Sequence, residues 1–140
     1  MARRRVPGSG RPSVPPSRQT VLTMHFLFIL NDPPYGTERT YNGLRLALNL
    51  LHKAEGTSVT TFLMADAAAA AKHGQQTPNG YYNLERMLRG IIGRQGQVLL
   101  CGSCMDARGI RDDDIVEGAR RSTMDELTAL TVSADKVLVF

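Results

Sequence analysis

The sequence has no tryptophan, only two cysteines and no long apolar run. A helix that spans a membrane needs about 20 consecutive apolar residues, so the sequence predicts no membrane segment. Two cysteines that lie three positions apart cannot form the disulfide framework of small secreted proteins. The Gly-rich dinucleotide and phosphate loops and the Gly-x-Ser-x-Gly elbow of hydrolases are also missing. These absences argue against several common enzyme classes.

Excess positive charge is confined to the start of the chain. The sequence holds 17 basic and 13 acidic residues. Residues 1–23 contain five of the arginines and no acid, which leaves 12 basic and 13 acidic residues for the rest. The sequence after residue 23 also does not interleave aromatic and basic residues as a base-stacking surface would. We therefore expect no nucleic-acid partner.

Residues 1–23 also hold four of the seven prolines. This composition cannot bury enough apolar surface to offset the entropy of ordering, so we predict a disordered basic tail followed by one domain over residues 24–140. The tail could be a transit peptide, an anion-binding segment, or sequence upstream of a true start at Met24, outside the mature protein. We favour the last. Residues 21–30 resemble the core of a secretory signal, but NDPPYG follows without a cleavage site, so we expect a cytoplasmic protein.

Strand and helix patterns alternate along residues 25–140. Short apolar or β-branched runs are typical of strands buried in a parallel sheet, and apolar residues at helical spacing predict helices between them. The predicted strands are 25–30, 58–64, 97–101, 118–121 and 136–140. The predicted helices are 37–55, 67–71, 81–91, 106–109, a turn at 112–114 and one that opens at 123. Such alternation predicts an α/β fold with helices on both faces of the sheet.

The helix predicted over 37–55 has an unusually wide apolar stripe. One contact face of a helix needs only a narrow row of apolar residues, and Leu46 and Leu50 lie next to that row and widen it. The extra width indicates either packing against another subunit or a deeper core position. Both interpretations stay open at this point.

Ligands of parallel α/β sheets bind beyond the carboxyl ends of the strands. This rule brings together the segments 31–37, 64–66 and 101–108. The first segment is a loop, since its prolines cannot continue a strand. We expect its polar and glycine residues to line a substrate site, although they also suffice for a plain turn. They are Asn31, Asp32, Tyr35, Gly36 and Thr37.

The chemistry predicted for this edge is that of two thiols in the turn Cys101-Gly102-Ser103-Cys104. A thiolate near the amino end of a helix is stabilised by free backbone N–H groups, which favours Cys104 as the nucleophile. Gly102 would let the backbone approach a substrate closely. The reaction suggested is attack of a thiolate on a sulfur atom.

Two charged residues follow the thiols. Arg108 lies four residues after Cys104, so on a helix it shares that face and can support a thiolate. Asp106 could orient a donor or accept a proton, or it could pair with an arginine such as Arg108. We count Ser103, Asp106 and Arg108 among the candidate substrate-binding residues.

Other interpretations of the cysteines compete with catalysis. Cys101 follows an apolar strand and could be a small buried core residue. A zinc site needs about four ligands, of which one CxxC supplies two. The histidines at 25, 52 and 73 are scattered. We expect no metal within one chain and no cofactor, while a metal shared between subunits stays open. A thioredoxin-like motif fits poorly, because that motif follows the first strand of its unit.

Three segments resemble the DsrE/DsrF-like family, with its YchN-type proteins and TusD-type sulfur carriers. They are FLFILNDPPYGTERTYNGLRLAL, LLCGSCMDARGI and MDELTALTVSADKVLVF. The resemblance covers residues 24–140. It implies a three-layer α/β/α domain with a mostly parallel sheet of about five strands. It also implies a homo-oligomer, commonly a trimer or hexamer.

In sulfur-relay members of this family, a cysteine after the third strand accepts sulfur as a persulfide and passes it to a partner protein. Counted back from Arg108-Gly109, that cysteine corresponds to Cys101, and Cys104 is an additional thiol. The resemblance therefore favours Cys101, whereas helix-end electrostatics favours Cys104. It implies a persulfide carrier or sulfurtransferase-like protein with a sulfur donor or acceptor as partner. The alternatives are a non-catalytic homo-oligomeric module that binds a small ligand or protein, and a redox sensor with a Cys101–Cys104 disulfide.

Overall fold

The structure, a computed structural model, describes residues 23–140. The strands are β1 (Met24–Leu30), β2 (Thr57–Leu63), β3 (Gln97–Cys101), β4 (Ala119–Ser122) and β5 (Lys136–Val139). The α-helices are α1 (Arg39–Lys53), α2 (Leu84–Gly93), α3 (Gly102–Ala107) and α4 (Met124–Ser133). Short 3-10 helices span Ala65–Ala71, Pro78–Gly80 and Asp112–Asp114.

The five strands form one sheet in the order β4-β3-β2-β1-β5, and all pairs are parallel. The apolar run of β1 lies next to the sheet centre, between β2 and β5, as a strand buried on both faces should. The predicted fold class, a three-layer α/β domain with five strands, is confirmed. Because every strand points the same way, all five carboxyl ends lie at one edge of the sheet.

Separate apolar layers cover the two faces of the sheet. Helices α1 and α2 pack on one face, where Leu44 and Leu88 are fully buried. Helix α4 covers the other face, where Leu127 packs with Phe62 and Leu99. Each fully buried leucine of this kind contributes about 1.5–3 kcal/mol through the hydrophobic effect.

Several element boundaries differ from the predicted ones for local reasons. Helix α2 begins at Leu84 rather than near residue 81, because Tyr82 has φ = 64° and the Asn83 side chain caps the helix. The alanine run 65–71 forms a 3-10 helix without a side-chain cap. Helix α3 starts at Gly102 instead of near residue 106, so the whole turn between the cysteines is helical.

Leu46 and Leu50, which widen the α1 stripe, have different environments. Leu50 is half-buried against the core, in agreement with the core interpretation. Leu46 is 39% exposed and takes no core position. Its side chain lies in a groove between α1 and α2.

The predictions for the amino-terminal tail lie outside the described residues, apart from the exposed Thr23. Within residues 23–140, no helix combines the length and the apolar character that crossing a bilayer requires.

Candidate functional site

Cys101 is the last residue of β3 and the N-cap of α3. The chain passes from strand to helix without a loop, so the thiol lies at the carboxyl edge of the sheet. The residue is 8% exposed and packs with Leu99 and Leu127 beneath α4. Its Sγ is 3.3 Å from the Oγ of Ser103. Cys101 is thus a core residue whose sulfur also has a polar neighbour.

The two thiols have opposite pKa shifts. Burial raises the pKa of the Cys101 thiol, but hydrogen bonds from the Cys104 thiol, from Ser103 and from the backbone N–H groups of both residues outweigh this effect, so the pKa is lowered. Burial and the hydrogen bond given to Cys101 raise the pKa of Cys104. A thiolate therefore forms first at Cys101, with the Cys104 thiol as one of its donors.

Cys104 has its own fixed environment. Its Sγ accepts a hydrogen bond of 3.2 Å from the backbone N–H of Ala65. Ala65 lies in the corner after β2, where the chain turns from the strand into the 3-10 helix Ala65–Ala71. Ala65 has φ = 47°, a left-handed conformation that costs free energy for a residue with a Cβ. The corner after β2 thus contacts the second thiol directly. This contact agrees with the strand-end rule, which grouped residues 64–66 with 101–108, while the atoms that meet depend on how the two crossovers pack.

Arg108 is placed beside Cys104 rather than Cys101. Its Nη1 donates to the carbonyl oxygen of Cys104 at 3.1 Å, and its Nε and Nη2 donate to one carboxylate oxygen of Asp66 at 3.0 and 2.9 Å. The guanidinium charge lowers the pKa of Cys104, although burial and Cys101 outweigh it. Arg108 thus acts on the Cys104 thiol, as its helical spacing predicts, and the ion pair with Asp66 holds the guanidinium in place.

Asp106 forms an ion pair, but with Arg121 of β4 instead of Arg108. The Arg121 Nη1 lies 2.9 Å from Asp106 Oδ1 and 3.0 Å from the carbonyl oxygen of Gly102, while its Nε donates to Asp112 at 3.1 Å. A single arginine therefore ties α3 to the next strand and to the segment between them. Sequence reasoning missed Arg121, which lies 15 residues from Asp106 along the chain.

Gly102 faces protein atoms where the sequence interpretation placed a substrate. A Cβ at this position would lie 3.1 Å from the Cγ of Arg121 and 3.2 Å from the carbonyl oxygen of Ser122. The lack of a side chain thus permits the close approach of β4 to α3. Ser122 is also the parallel-strand neighbour of Cys101.

A second polar cluster lies beside the thiols on the α4 side. Ser122 Oγ and both terminal nitrogens of Arg120 donate to the Glu126 carboxylate. These hydrogen bonds lower the pKa of Glu126 to about 2. The Thr123 side chain accepts from the backbone N–H of Glu126 and caps α4, while the Glu126 carboxylate accepts from Arg120 and Ser122.

The start of the 31–37 loop is bound to the chain end and to α1. Asn31 pairs with the carbonyl oxygen of Phe140 through both its backbone N–H and its side chain. The Asp32 carboxylate accepts a hydrogen bond from the hydroxyl of Thr37 at 3.1 Å. The polar groups of Asn31 and Asp32 are thus bonded to other protein atoms, either within the loop or at Phe140.

The rest of that loop is directed toward α2. The Tyr35 hydroxyl donates to the Gln75 side chain at 2.5 Å and accepts from the backbone N–H of Leu84 at 3.3 Å. Gly36 has φ = 101° with open space around it, as a turn glycine should. Among the described residues, no hydrogen bond or ion pair joins 31–37 to 101–108. Their role in substrate binding stays a prediction.

Comparison with known proteins identifies the family. The family model of DsrE/DsrF-like proteins matches residues 24–140. The chain belongs to the DsrE/DsrF-like family. Protein YchN of Escherichia coli K12 is 39% identical over 114 residues, which cover 81% of this chain and 97% of YchN. An uncharacterized protein of Methanocaldococcus jannaschii, MJ0989, is 38% identical over 117 residues, or 84% of this chain and 100% of its own.

Solved structures place the fold in the same family. The crystal structure of YchN from E. coli superposes with a TM-score of 0.80 at 37% identity, covering 84% of this chain and all of that one. A protein of unknown function from Methanobacterium thermoautotrophicum, MTH1491, superposes with a TM-score of 0.64 at 13% identity, over 81% of this chain and 96% of its own. At that identity the second match shows the fold alone.

Across residues 23–140, His, Cys, Asp and Glu side chains nowhere gather in a group of three that could hold a metal ion. The donors around the thiols are hydroxyl, thiol and backbone N–H groups, the kinds that hydrogen-bond to a thiolate. A metal shared between subunits stays an untested alternative.

Proposed function

We propose that this DsrE/DsrF-like protein handles sulfur, with Cys101 accepting it as a persulfide. The observation that carries the proposal is the lowered pKa of the Cys101 thiol at the carboxyl edge of the sheet. A lowered thiol pKa raises the fraction of the nucleophilic thiolate at neutral pH. The groups that lower it, from Ser103 and Cys104, lie beside the sulfur that would carry the transferred atom.

The reaction is a sulfur exchange without net oxidation. The Cys101 thiolate attacks the terminal sulfur of a donor persulfide, and the sulfur–sulfur bond of the donor breaks. The donor leaves as a thiolate, and Cys101 carries the transferred sulfur as a persulfide. A thiolate of an acceptor repeats the same step and regenerates Cys101.

Two variants test this proposal. The protein is incubated with glutathione persulfide, trapped by alkylation and examined by intact-mass spectrometry. The wild-type protein and Cys104→Ser should gain one sulfur atom, while Cys101→Ser should gain none. Sulfur uptake that is unchanged in Cys101→Ser, or absent from the wild-type protein, contradicts the proposal.

A thiol redox switch is the second candidate function. It is favoured by the closeness of the two thiols in the first turn of α3, where each shifts the pKa of the other. Hydrogen peroxide would oxidise the two thiols to a disulfide and be reduced to water. A switch requires this disulfide to form under mild oxidation, to disappear in Cys104→Ser and to reopen with dithiothreitol. Protein that keeps both thiols free under peroxide excludes it.

We further propose a cytoplasmic homo-oligomer, a trimer or hexamer, that exchanges sulfur with a donor or acceptor protein. Support comes from exposed apolar side chains on α4 and β5. Val132 is 84% exposed, Val139 62% and Met124 57%. Sedimentation velocity tests the assembly, since the proposal requires a mass well above that of one chain.

A further inference from the structure

The arginines of residues 23–140 divide into two groups. Six of the nine form ion pairs with carboxylates. The three without a carboxylate partner among the described residues are Arg45, Arg86 and Arg94. All three line one groove between α1 and α2, which has a volume of about 1000 Å³ and no carboxylate in its walls. Cations without a carboxylate partner on the two walls of one groove indicate a site for an anion.

Aromatic rings form one end of the groove. The rings of Tyr41 and Tyr82 stack with their centroids 3.9 Å apart. The Tyr81 ring is tilted by 46° to that of Tyr82, and their centroids are 5.9 Å apart. Tyr81 is 73% exposed, so much of its ring is free for contact. The Arg45 guanidinium lies 5.6 Å from the centre of the Tyr41 ring. A planar ligand ring could therefore stack beside the tyrosines with cations close by.

Backbone strain marks this end of the groove. Asn79 and Tyr82 have φ values of 53° and 64°, conformations that residues with a side chain rarely adopt. Between them, Gly80 lies so close to Arg86 that a Cβ there would overlap its guanidinium. Strain of this kind is tolerated where the surroundings hold it and is common at ligand sites. The strained segment carries Tyr81 and Tyr82 into the start of α2 and lies against Arg86.

Along the two helices, the arginines follow the aromatic rings. Arg45 lies one helical turn beyond Tyr41 on α1, and four residues of helix rise about 6 Å. Further along, Gly90 brings α2 against Leu48, since a Cβ at Gly90 would lie 3.2 Å from the Leu48 Cδ2. Arg94 lies at the far end. The groove thus begins with an aromatic surface and continues with positive charge.

We propose that the groove between α1 and α2 binds a small ligand that carries a planar ring and an anionic group, the chemistry of a nucleoside phosphate. The ring stacks on the tyrosines, and the phosphate groups contact Arg45 and Arg86. The volume suits a small molecule. A two-fold contact with a second copy fits less well, because it would oppose these arginines to one another. The site is separate from the thiols and does not depend on the sulfur proposal.

The test is an NMR titration of the full chain with three probes. Adenosine diphosphate carries both features, inorganic pyrophosphate carries only the charge, and adenosine carries only the ring. We expect adenosine diphosphate to shift the amides of residues 80–94 in a saturable way, at least tenfold more tightly than either of the other probes. Added salt should weaken it.

Matched variants on α2 locate the site. Arg86→Gln should weaken binding of adenosine diphosphate about tenfold, because it removes a charge-assisted hydrogen bond. Tyr81→Ser should weaken adenosine diphosphate and leave pyrophosphate unchanged. Arg89→Gln is the control, since Arg89 is paired with Glu85 and does not line the groove. It should change the affinity less than about twofold.

Four results would overturn the proposal. One is the absence of amide shifts in the groove, and another is equal affinity for pyrophosphate and adenosine diphosphate. A third is tighter binding of a short single-stranded oligonucleotide, which would assign the groove to nucleic acid. The last is dissociation of an oligomer by Arg86→Gln or Tyr81→Ser in sedimentation, which would show that a second copy covers the groove.

Discussion

Removing the Cys104 thiol should slow the reaction of Cys101 with electrophiles at neutral pH. In Cys104→Ala the Cys101 thiolate loses one of its hydrogen-bond donors. Hydrogen bonds to charged groups contribute about 1.5–3 kcal/mol, and a thiol is a weak donor, so about 1 kcal/mol is a reasonable loss. That loss lowers the thiolate population about fivefold at a pH below the pKa. A more basic thiolate is also more nucleophilic, which returns about a factor of two.

The expected net effect is a fall of about two- to threefold in the rate of Cys101 alkylation at neutral pH. At high pH, where the thiolate is fully formed, the sign reverses, and the variant should react about twice as fast as the parent. The rate is measured with iodoacetamide across the pH range by site-resolved mass spectrometry. Cys104→Ser is the matched control, because its hydroxyl keeps a donor at the same place. A Cys104→Ala profile that lies on the wild-type curve would refute the hydrogen-bond account.

Three further predictions concern stability. Gly118→Ala should lower the free energy of unfolding in urea by about 1–3 kcal/mol, since φ is 91° and the new Cβ would lie 2.7 Å from Ile92 Cγ2. Gly109→Ala, where φ is also positive but the space is open, should cost less. Equal costs for the two variants would contradict the packing argument. Because the pKa of Glu126 is lowered from 4.5 to about 2, this carboxylate contributes stability that is complete above pH 4.5 and is lost as the pH falls toward 2. If the free energy of unfolding of Glu126→Gln falls with acid as that of the wild-type protein does, this prediction is wrong. Asn83→Ala should cost about 1 kcal/mol through the lost α2 cap, and an unchanged midpoint would show the cap to be unimportant.

Much of the fold follows from local patterns in the sequence. The apolar run 25–30 has no polar face to present to water, so a central strand is the natural outcome, and β1 is one. The alternation of strands and helices leads to a parallel sheet because parallel strands need long crossovers. Cys101 at the end of β3 follows in the same way, since strand ends are set by local sequence.

The strand-end rule grouped residues 64–66 with 101–108, but the atoms that meet between distant segments could not be predicted in this way. The N–H of Ala65 reaches Cys104 because the corner after β2 packs on α3, and Arg121 reaches Asp106 because β4 returns beside β3. The groove likewise joins Tyr41 and Arg45 of one crossover to Tyr82 and Arg86 of another, so its two walls lie far apart in the sequence. Such pairs form when the sheet assembles.

At the thiol pair, the helix-end rule and the pKa shifts favour different atoms. Helix-end electrostatics alone favoured Cys104 as the thiolate, because its position within the first turn of α3 is the usual one. In the structure Cys101 is the N-cap residue of α3, and hydrogen bonding by its neighbours Ser103 and Cys104 lowers the pKa of its thiol. The lower pKa therefore belongs to Cys101.

The identity of the first thiol to receive sulfur tests the central proposal most directly. Wild-type protein is treated with less than one equivalent of glutathione persulfide and trapped at once. Both cysteines fall in one tryptic peptide, residues 95–108, so fragment ions must separate Cys101 from Cys104. The proposal predicts the additional sulfur on Cys101. Sulfur found first on Cys104, or on neither residue, would contradict it.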